Sequence, residues 1–415
     1  MNSTISHDHS ASDYVDLKLG EEGPVQSSLF ESISYYAARF PKLTAVQDHD
    51  STLTYLELNT HSSRSAALLR QHGVKQGNAV AVCLPRSQEL IVLMLAILKA
   101  GATVVPLDAA SPPNRQAAIL ADSQARFLIT SQEAHSRSVP SATYKTLHVG
   151  ELVAGNLPDD QGQFQASSVA STAFLFYTSG TTGRPKGVQV PLTAIERLAH
   201  QPRFVPMSIG DRYAHISNPA FDALSFDVWV PLLTGGCIVV FSAEETADFE
   251  GFARKLEKRS IKTMFMTVSL FNAMVDYGAT CFTTLEHLLI GGEQINPHTV
   301  QGWYEANPQS TCQIHNIYGP TECATFALSY PIPRSFSGDT VPIGRPIAST
   351  DCQLRSSNGE EANPTETAEL YVGGAGVAHG YLNREEETQH SFVELSDGRR
   401  WYRTGDLVRL NNKGS

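Results

Sequence analysis

"YTSGTTGRPKG", residues Tyr177–Gly187, packs four threonine or serine hydroxyls, three glycines, an arginine and a lysine into eleven positions. It has dense hydrogen-bonding capacity and almost nothing to bury. The run before it, "TAFLF" (Thr172–Phe176), reads as a strand, and "PLTAIERLAH" after it reads as a helix. A strand opening into a glycine-rich loop presents backbone N–H groups to one concave site, and small hydroxyl side chains add donors without bulk. Such a loop can cradle a phosphate chain. The P-loop pattern G-x-x-x-x-G-K-[ST] does not fit: counting from Gly180 puts Pro185 at the second glycine, and Gly187 follows Lys186 where a metal-binding hydroxyl belongs. A plain surface turn would explain the glycines and Pro185, but not the concentration of Thr178, Ser179, Thr181, Thr182 and Lys186.

Outward from this segment the chain alternates short apolar runs with helical stretches. "NAVAVCL" (Asn78–Leu84), "TVVPL" (Thr103–Leu107), "RFLIT" (Arg126–Thr130), "CIVVFS" (Cys237–Ser242), "KTMFMT" (Lys262–Thr267), "HLLIGG" (His287–Gly292) and "QIHNIYG" (Gln313–Gly319) read as buried strands. "LFESISYYAARF", "QELIVLMLAILKA" and "FEGFARKLEKRS" read as helices, the first closed by Pro41 and the second by Gly101. This alternation predicts an α/β fold of two doubly wound parallel sheets covered by helices over residues 21–330. Beyond Tyr330 proline and glycine multiply and strands shorten, which predicts a small, barrel-like β-rich unit over 331–415. Residues 1–20 are polar and expected to fray, and Ser131–Ser171 reads as a loop-rich surface excursion.

The chain's bulk properties narrow the possible functions. With 415 residues, 41% hydrophobic and 18% charged, the chain has ample material for packed cores. Its 31 lysines and arginines against 42 aspartates and glutamates leave a net charge of −11, the wrong sign for holding nucleic acid by a general field. Six scattered cysteines (Cys83, Cys237, Cys281, Cys312, Cys323, Cys352) show no metal or disulfide spacing. "LIVLMLAIL" (Leu90–Leu98) falls far short of the ~20 residues of a membrane span, and the N-terminus has no signal-peptide pattern. A soluble cytoplasmic protein is expected, with neither membrane nor nucleic acid as partner.

The opening segment resembles the phosphate loop of the adenylate-forming superfamily. Its companions occur in family order: "LTYLELN" (Leu53–Asn59), "LKAGATVVPLD" (Leu98–Asp108), "FDALSFDVW" (Phe221–Trp229), "NIYGPTE" (Asn316–Glu322), "AELYVGGAGVAHGYL" (Ala368–Leu382) and "YRTGDL" (Tyr402–Leu407). Pro320 in "YGPTE" and the "AGATVVPLD" stretch resemble the adenylation domains of nonribosomal peptide synthetases. That resemblance implies a ligase that joins an amino acid to AMP from ATP with release of pyrophosphate, using magnesium, and then loads it on the phosphopantetheine arm of a carrier protein.

The resemblance also implies residue roles. Thr178, Ser179, Gly180, Thr181, Thr182, Gly183 and Lys186 would hold the β and γ phosphates. Glu322 would ligate Mg²⁺ and Thr321 would donate to the α-phosphate. Tyr318 would stack on adenine near Asn316, Gly291 and Gly292, and Asp406 would accept both ribose hydroxyls. Asp222 would pair with the α-ammonium of the substrate; the plain alternative is that it caps the following helix, for which Asp227 is an equal candidate. Ala223, Phe226, Leu289, Gly291, Ile317, Thr325 and Phe326 would line the side-chain pocket, with a further wall position near Ser269 or Leu270. The lining is uncharged and favours an apolar or aromatic side chain. The family's smaller C-terminal lid subdomain, with its lysine, is not recognisable after Asp406, so the stretch reads as a large core whose turnover would be weak alone. Two alternatives stay open: an aryl- or acyl-CoA ligase, which has no use for Asp222, and a core that binds nucleotide and ligand without turnover.

Overall fold

The computed structural model describes residues 28–49, 51–131, 144–153, 171–179, 184–201, 203–278, 280–356, 359–363 and 366–410. The expected frayed stretch 1–20 lies outside them. Three sheets organise the rest. The largest has nine strands, in the order Arg345–Pro346, Leu328–Pro331, Gln313–Tyr318, His287–Gly291, Thr263–Thr267, Arg212–His215, Cys237–Val240, Thr44–Asp48, Ser51–Thr54. Its six central strands run parallel and its edge strands antiparallel. The second has six strands, Lys145–His148, Phe127–Thr130, Ala79–Cys83, Thr103–Pro106, Thr172–Ser179 and Pro185–Pro191. These two sheets answer to the expected α/β units.

The helix Gln88–Lys99 explains its own apolar sequence. Every residue from Leu90 to Lys99 is buried, because the helix packs against Thr44–Asp48 of the large sheet and against Ala79–Cys83 and Thr103–Pro106 of the second. A helix apolar all round is one covered on all sides. Its one charge at depth, Lys99, places Nζ 2.7 to 3.0 Å from the Asn59 carbonyl and side-chain oxygens, Ser62 Oγ and Ser63 Oγ on the helix Tyr55–Gln71. That helix begins with a capping box in which Thr54 and Glu57 satisfy each other's exposed donors.

The third sheet, in the order Thr350–Arg355, Ala368–Gly374, Arg400–Val408, Phe392–Glu394, is antiparallel and, among the described residues, open. It begins at Thr350 rather than at 331. The proline-rich stretch before it still pairs along the edge of the large sheet, where a missing N–H costs no ladder bond.

The glycine-rich segment differs from its expected setting. Thr172–Ser179 and Pro185–Pro191 form an antiparallel hairpin, with Tyr177 opposite Gly187, Thr178 opposite Lys186 and Ser179 opposite Pro185. The helix expected over "PLTAIERLAH" is present, as Leu192–Glu196 followed by the 3₁₀ turn Arg197–Ala199; the strand Pro185–Pro191 before it is what differs. Val188 and Val190, both fully buried, flank Gln189 in a two-residue period that specifies a strand. Gly187 is required by close approach: a Cβ there would lie 2.9 Å from the Tyr177 ring.

Candidate functional site

The turn Tyr318–Phe326 organises the site. Strand Gln313–Tyr318 ends there, Thr321–Cys323 forms one 3₁₀ turn, and Ala324 and Thr325 follow at φ 51° and 77°. Positive φ is strained for a β-branched threonine. Thr325 is held by donating its hydroxyl to the Asp222 carbonyl at 2.6 Å. Gly319 has no room for a side chain, since a Cβ would stand 2.4 Å from the Thr325 carbonyl oxygen and 2.7 Å from the Ala327 nitrogen. Beneath the turn, the fully buried Arg197 donates to the carbonyls of Cys323 and Phe326 and to the Thr350 hydroxyl. It thereby fastens the turn to the third sheet.

Glu322 and Lys186 meet on the open side of this turn. Lys186 Nζ lies 3.9 Å from Glu322 Oε1 and 3.8 Å from the centre of the Tyr381 ring. The Tyr381 hydroxyl donates to Glu322 Oε1 at 2.7 Å. Tyr381 arrives because its segment pairs with the second strand of the hairpin: Gln189 donates to the Gly380 carbonyl, and Leu382 to that of Gly187. Of the expected phosphate-loop residues, Thr178 and Lys186 sit opposite each other one pair from the turn end of the hairpin's ladder. Gly180, Thr181, Thr182 and Gly183, with the side chain of Ser179, lie outside the described residues.

Asp222 lies half-buried beside Thr321 and Glu322. Removal from water pushes its carboxyl up to about 6, with the Glu322 charge adding to this and hydrogen bonding from the Thr321 hydroxyl and the Ala223 amide opposing it. Asp227 has a different use from capping. It is fully buried, and its Oδ2 accepts from the amides of Ser217 at 2.9 Å and Ile216 at 3.1 Å. It pins the start of the loop that leads to Asp222, and the helix that follows opens with a π-helical turn, Ser225–Trp229.

The expected pocket wall assembles as one cluster. Phe226, Leu289, Ile317 and Phe326 pack together with Ala223 at the margin, and Thr325 is buried beside them. The Phe226 and Phe326 rings are 5.3 Å apart. Gly291 is needed because a Cβ would sit 2.3 Å from the Ile317 carbonyl oxygen. Phe265 belongs to the cluster too, its ring 5.1 Å from Phe326 and its Cα paired with Leu289. Ser269 instead donates to Glu293, and Leu270 packs against the separate core on the far face of the sheet. Strand alternation could have identified Phe265, since Met264 and Met266 face that far core. Phe204 also joins the wall, 6.1 Å from Phe226; its loop position left no periodic signal.

At the other end, the Tyr318 hydroxyl donates to Asp406 Oδ2 at 2.5 Å, joining residues from two sheets. Burial, reinforced by the Asp406 charge, raises the Tyr318 phenol far above its usual range, so it remains a neutral donor. Asp406 is exposed and free to accept further donors. Asn316 is buried and donates its amide to the Pro342 carbonyl at 2.8 Å. It supports the strand, and the exposed Gly292, at φ 87°, lies nearer to solvent.

Comparison with known proteins bears on the family and the fold. A family model described as AMP-binding enzyme matches residues 33–382. The chain is 39% identical over 381 residues to malpibaldin synthetase of Mortierella alpina and 38% identical over 394 residues to surfactin synthase subunit 2 of Bacillus subtilis. These alignments cover 90% and 94% of this chain but only 7% and 11% of those proteins. Among solved structures, the N-terminal subdomain of Klebsiella oxytoca NpsA in complex with 3-hydroxybenzoyl-AMSN superposes with a TM-score of 0.84 at 27% identity, covering 93% of this chain and 98% of that one. An artificially fused adenylation–PCP di-domain, NpsA-ThdA, superposes at 0.85 and 26% identity, covering 94% and 78%.

Proposed function

The chain belongs to the AMP-binding enzyme family, and from that premise we propose that it activates an amino acid with an apolar or aromatic side chain as its aminoacyl adenylate. A carboxylate oxygen attacks the α-phosphorus of ATP, the bond to the β-phosphate oxygen breaks, and pyrophosphate leaves with that electron pair. Charge builds on phosphate oxygens, so the protein's task is positioning and neutralisation. Lys186 and the hairpin loop serve the β and γ phosphates, and Thr321 serves the α-phosphate. Tyr318 and Asp406 serve adenine and ribose. The observation that carries the reading is Asp222, a carboxyl at the mouth of an uncharged wall, beside the turn that bears Thr321 and Glu322. There it meets a substrate ammonium in a charge-assisted bond.

Magnesium is part of this proposal. Glu322 offers a hard oxygen donor of the kind that ion prefers and would hold it beside the phosphates. Among the described residues no group of three or more His, Cys, Asp or Glu is placed to hold a metal ion. When bound, the ion supplies neutralisation of phosphate charge. The product would pass to a carrier protein, a reading supported by the fused adenylation–PCP neighbour. A cytoplasmic location is supported by six free cysteines, five of them buried. No described helix is long and apolar enough to cross a membrane. An aryl acid is the second reading, favoured by the NpsA complex with 3-hydroxybenzoyl-AMSN; Asp222 argues for the amine.

Calorimetric titration with ATP and Mg²⁺ tests the nucleotide end. A charge-assisted bond is worth about 1.5–3 kcal/mol, so Lys186→Ala should weaken binding roughly tenfold to a hundredfold. Unchanged affinity in both Lys186→Ala and Glu322→Ala would remove the hairpin and the turn from the nucleotide site.

A further inference from the structure

We infer that Tyr381 is a positioning residue that keeps Lys186 and Glu322 from collapsing onto one another, an inference that rests on the reading of the site given above. Opposite charges in a partly dry site close to a contact of about 2.8 Å when nothing restrains them. Here they stop at 3.9 Å, with side chains only 20% and 10% exposed. Tyr381 holds both. Its ring lies under the ammonium at 3.8 Å, and a ring face attracts a cation without consuming any of its N–H donors. Its hydroxyl fixes Glu322 Oε1 at 2.7 Å and leaves Oε2 for a hard cation. One tyrosine thus presents the lysine to phosphate and the carboxylate to metal, with neither neutralising the other.

Tyr381 is rigid enough for this. It is 4% exposed, edge-on to Phe392 at 5.3 Å, bridged through its main chain to Val188, and its amide donates to Thr388 Oγ1 at 2.9 Å. It comes from the segment that precedes the helix Glu385–Ser391, while its two clients come from the hairpin and the turn. The site therefore depends on docking of all three. Groups that orient a metal's carboxylate ligand act through it, and their loss costs about 10–100-fold in metal affinity.

The test is ATP affinity of the chain in Mg²⁺ and in EDTA, read as the ratio of the two, for wild type, Tyr381→Phe, Glu322→Gln, and the double variant. Tyr381→Phe keeps the ring and should reduce the magnesium enhancement about tenfold. The double variant should be no worse than Glu322→Gln alone, because the hydroxyl acts only through that carboxylate. A merely structural tyrosine would weaken both affinities and leave their ratio intact. Because the ratio is internal to each variant, it stays informative if Tyr381→Phe is less stable. If Glu322→Gln lowers the ratio and Tyr381→Phe does not, the positioning role is wrong and the site reading survives. If neither lowers it, the metal end of the site reading fails, and this inference with it.

Discussion

A carboxyl pushed up to about 6, as at Asp222, is costly to keep at neutral pH. In the unfolded chain it would release its proton near 3.8. Between those values the folded state retains a proton that the unfolded state has lost, so stability falls as pH rises through about 6 and the full cost is present above it. Asp222→Asn should therefore stabilise the chain at pH 8 by up to about 3 kcal/mol and have little effect near pH 4. Chemical denaturation at the two pH values measures this, and an equal effect at both would show that the carboxyl is not held out of water. Asp222 was legible in the sequence through its motif, but its environment was not. Phe265 went unread for the opposite reason, since it carries no motif and is identified only by the face of the strand it occupies.

At the scale of elements, the turn Tyr318–Phe326 is determined by what cannot fit. The backbone of Thr325 and Ala327 fills the place of a Gly319 side chain, so Gly319→Ala must open the turn that carries Thr321 and Glu322. Overpacking against backbone costs about 1–3 kcal/mol. The variant should lose that much in denaturation and lose ATP binding beyond it; a loss under about 0.5 kcal/mol, the range of ordinary surface substitutions, would mean the turn is looser than its contacts imply. The parallel strands were legible because buried runs such as "CIVVFS" and "HLLIGG" have few alternatives. The hairpin was misread because Pro185 and Gly187 look like the end of structure. Only the buried Val188 and Val190 show that the strand resumes.

On the scale of the whole molecule, the site forms where three sheets converge. The large sheet delivers Gly291, Ile317 and Tyr318 at the carboxyl ends of parallel strands, the usual place for ligands in such sheets. The second sheet brings Lys186, and the third unit brings Tyr381 and Asp406. Strand order and this convergence were beyond the sequence, because periodicity identifies strands without saying which lie side by side. The Tyr318–Asp406 and Glu322–Tyr381 contacts join residues 88 and 59 positions apart. On the function proposed above, the assembled site accepts an amino acid already joined to adenylate. Its most direct test is titration of the chain with non-hydrolysable adenylate mimics of an apolar amino acid and of the same acid without its amine. The amine-bearing mimic should bind at least about tenfold tighter, the value of one charge-assisted bond, and Asp222→Ala should erase the difference. Equal affinities in the wild-type chain, or a preference that survives Asp222→Ala, would contradict the assignment.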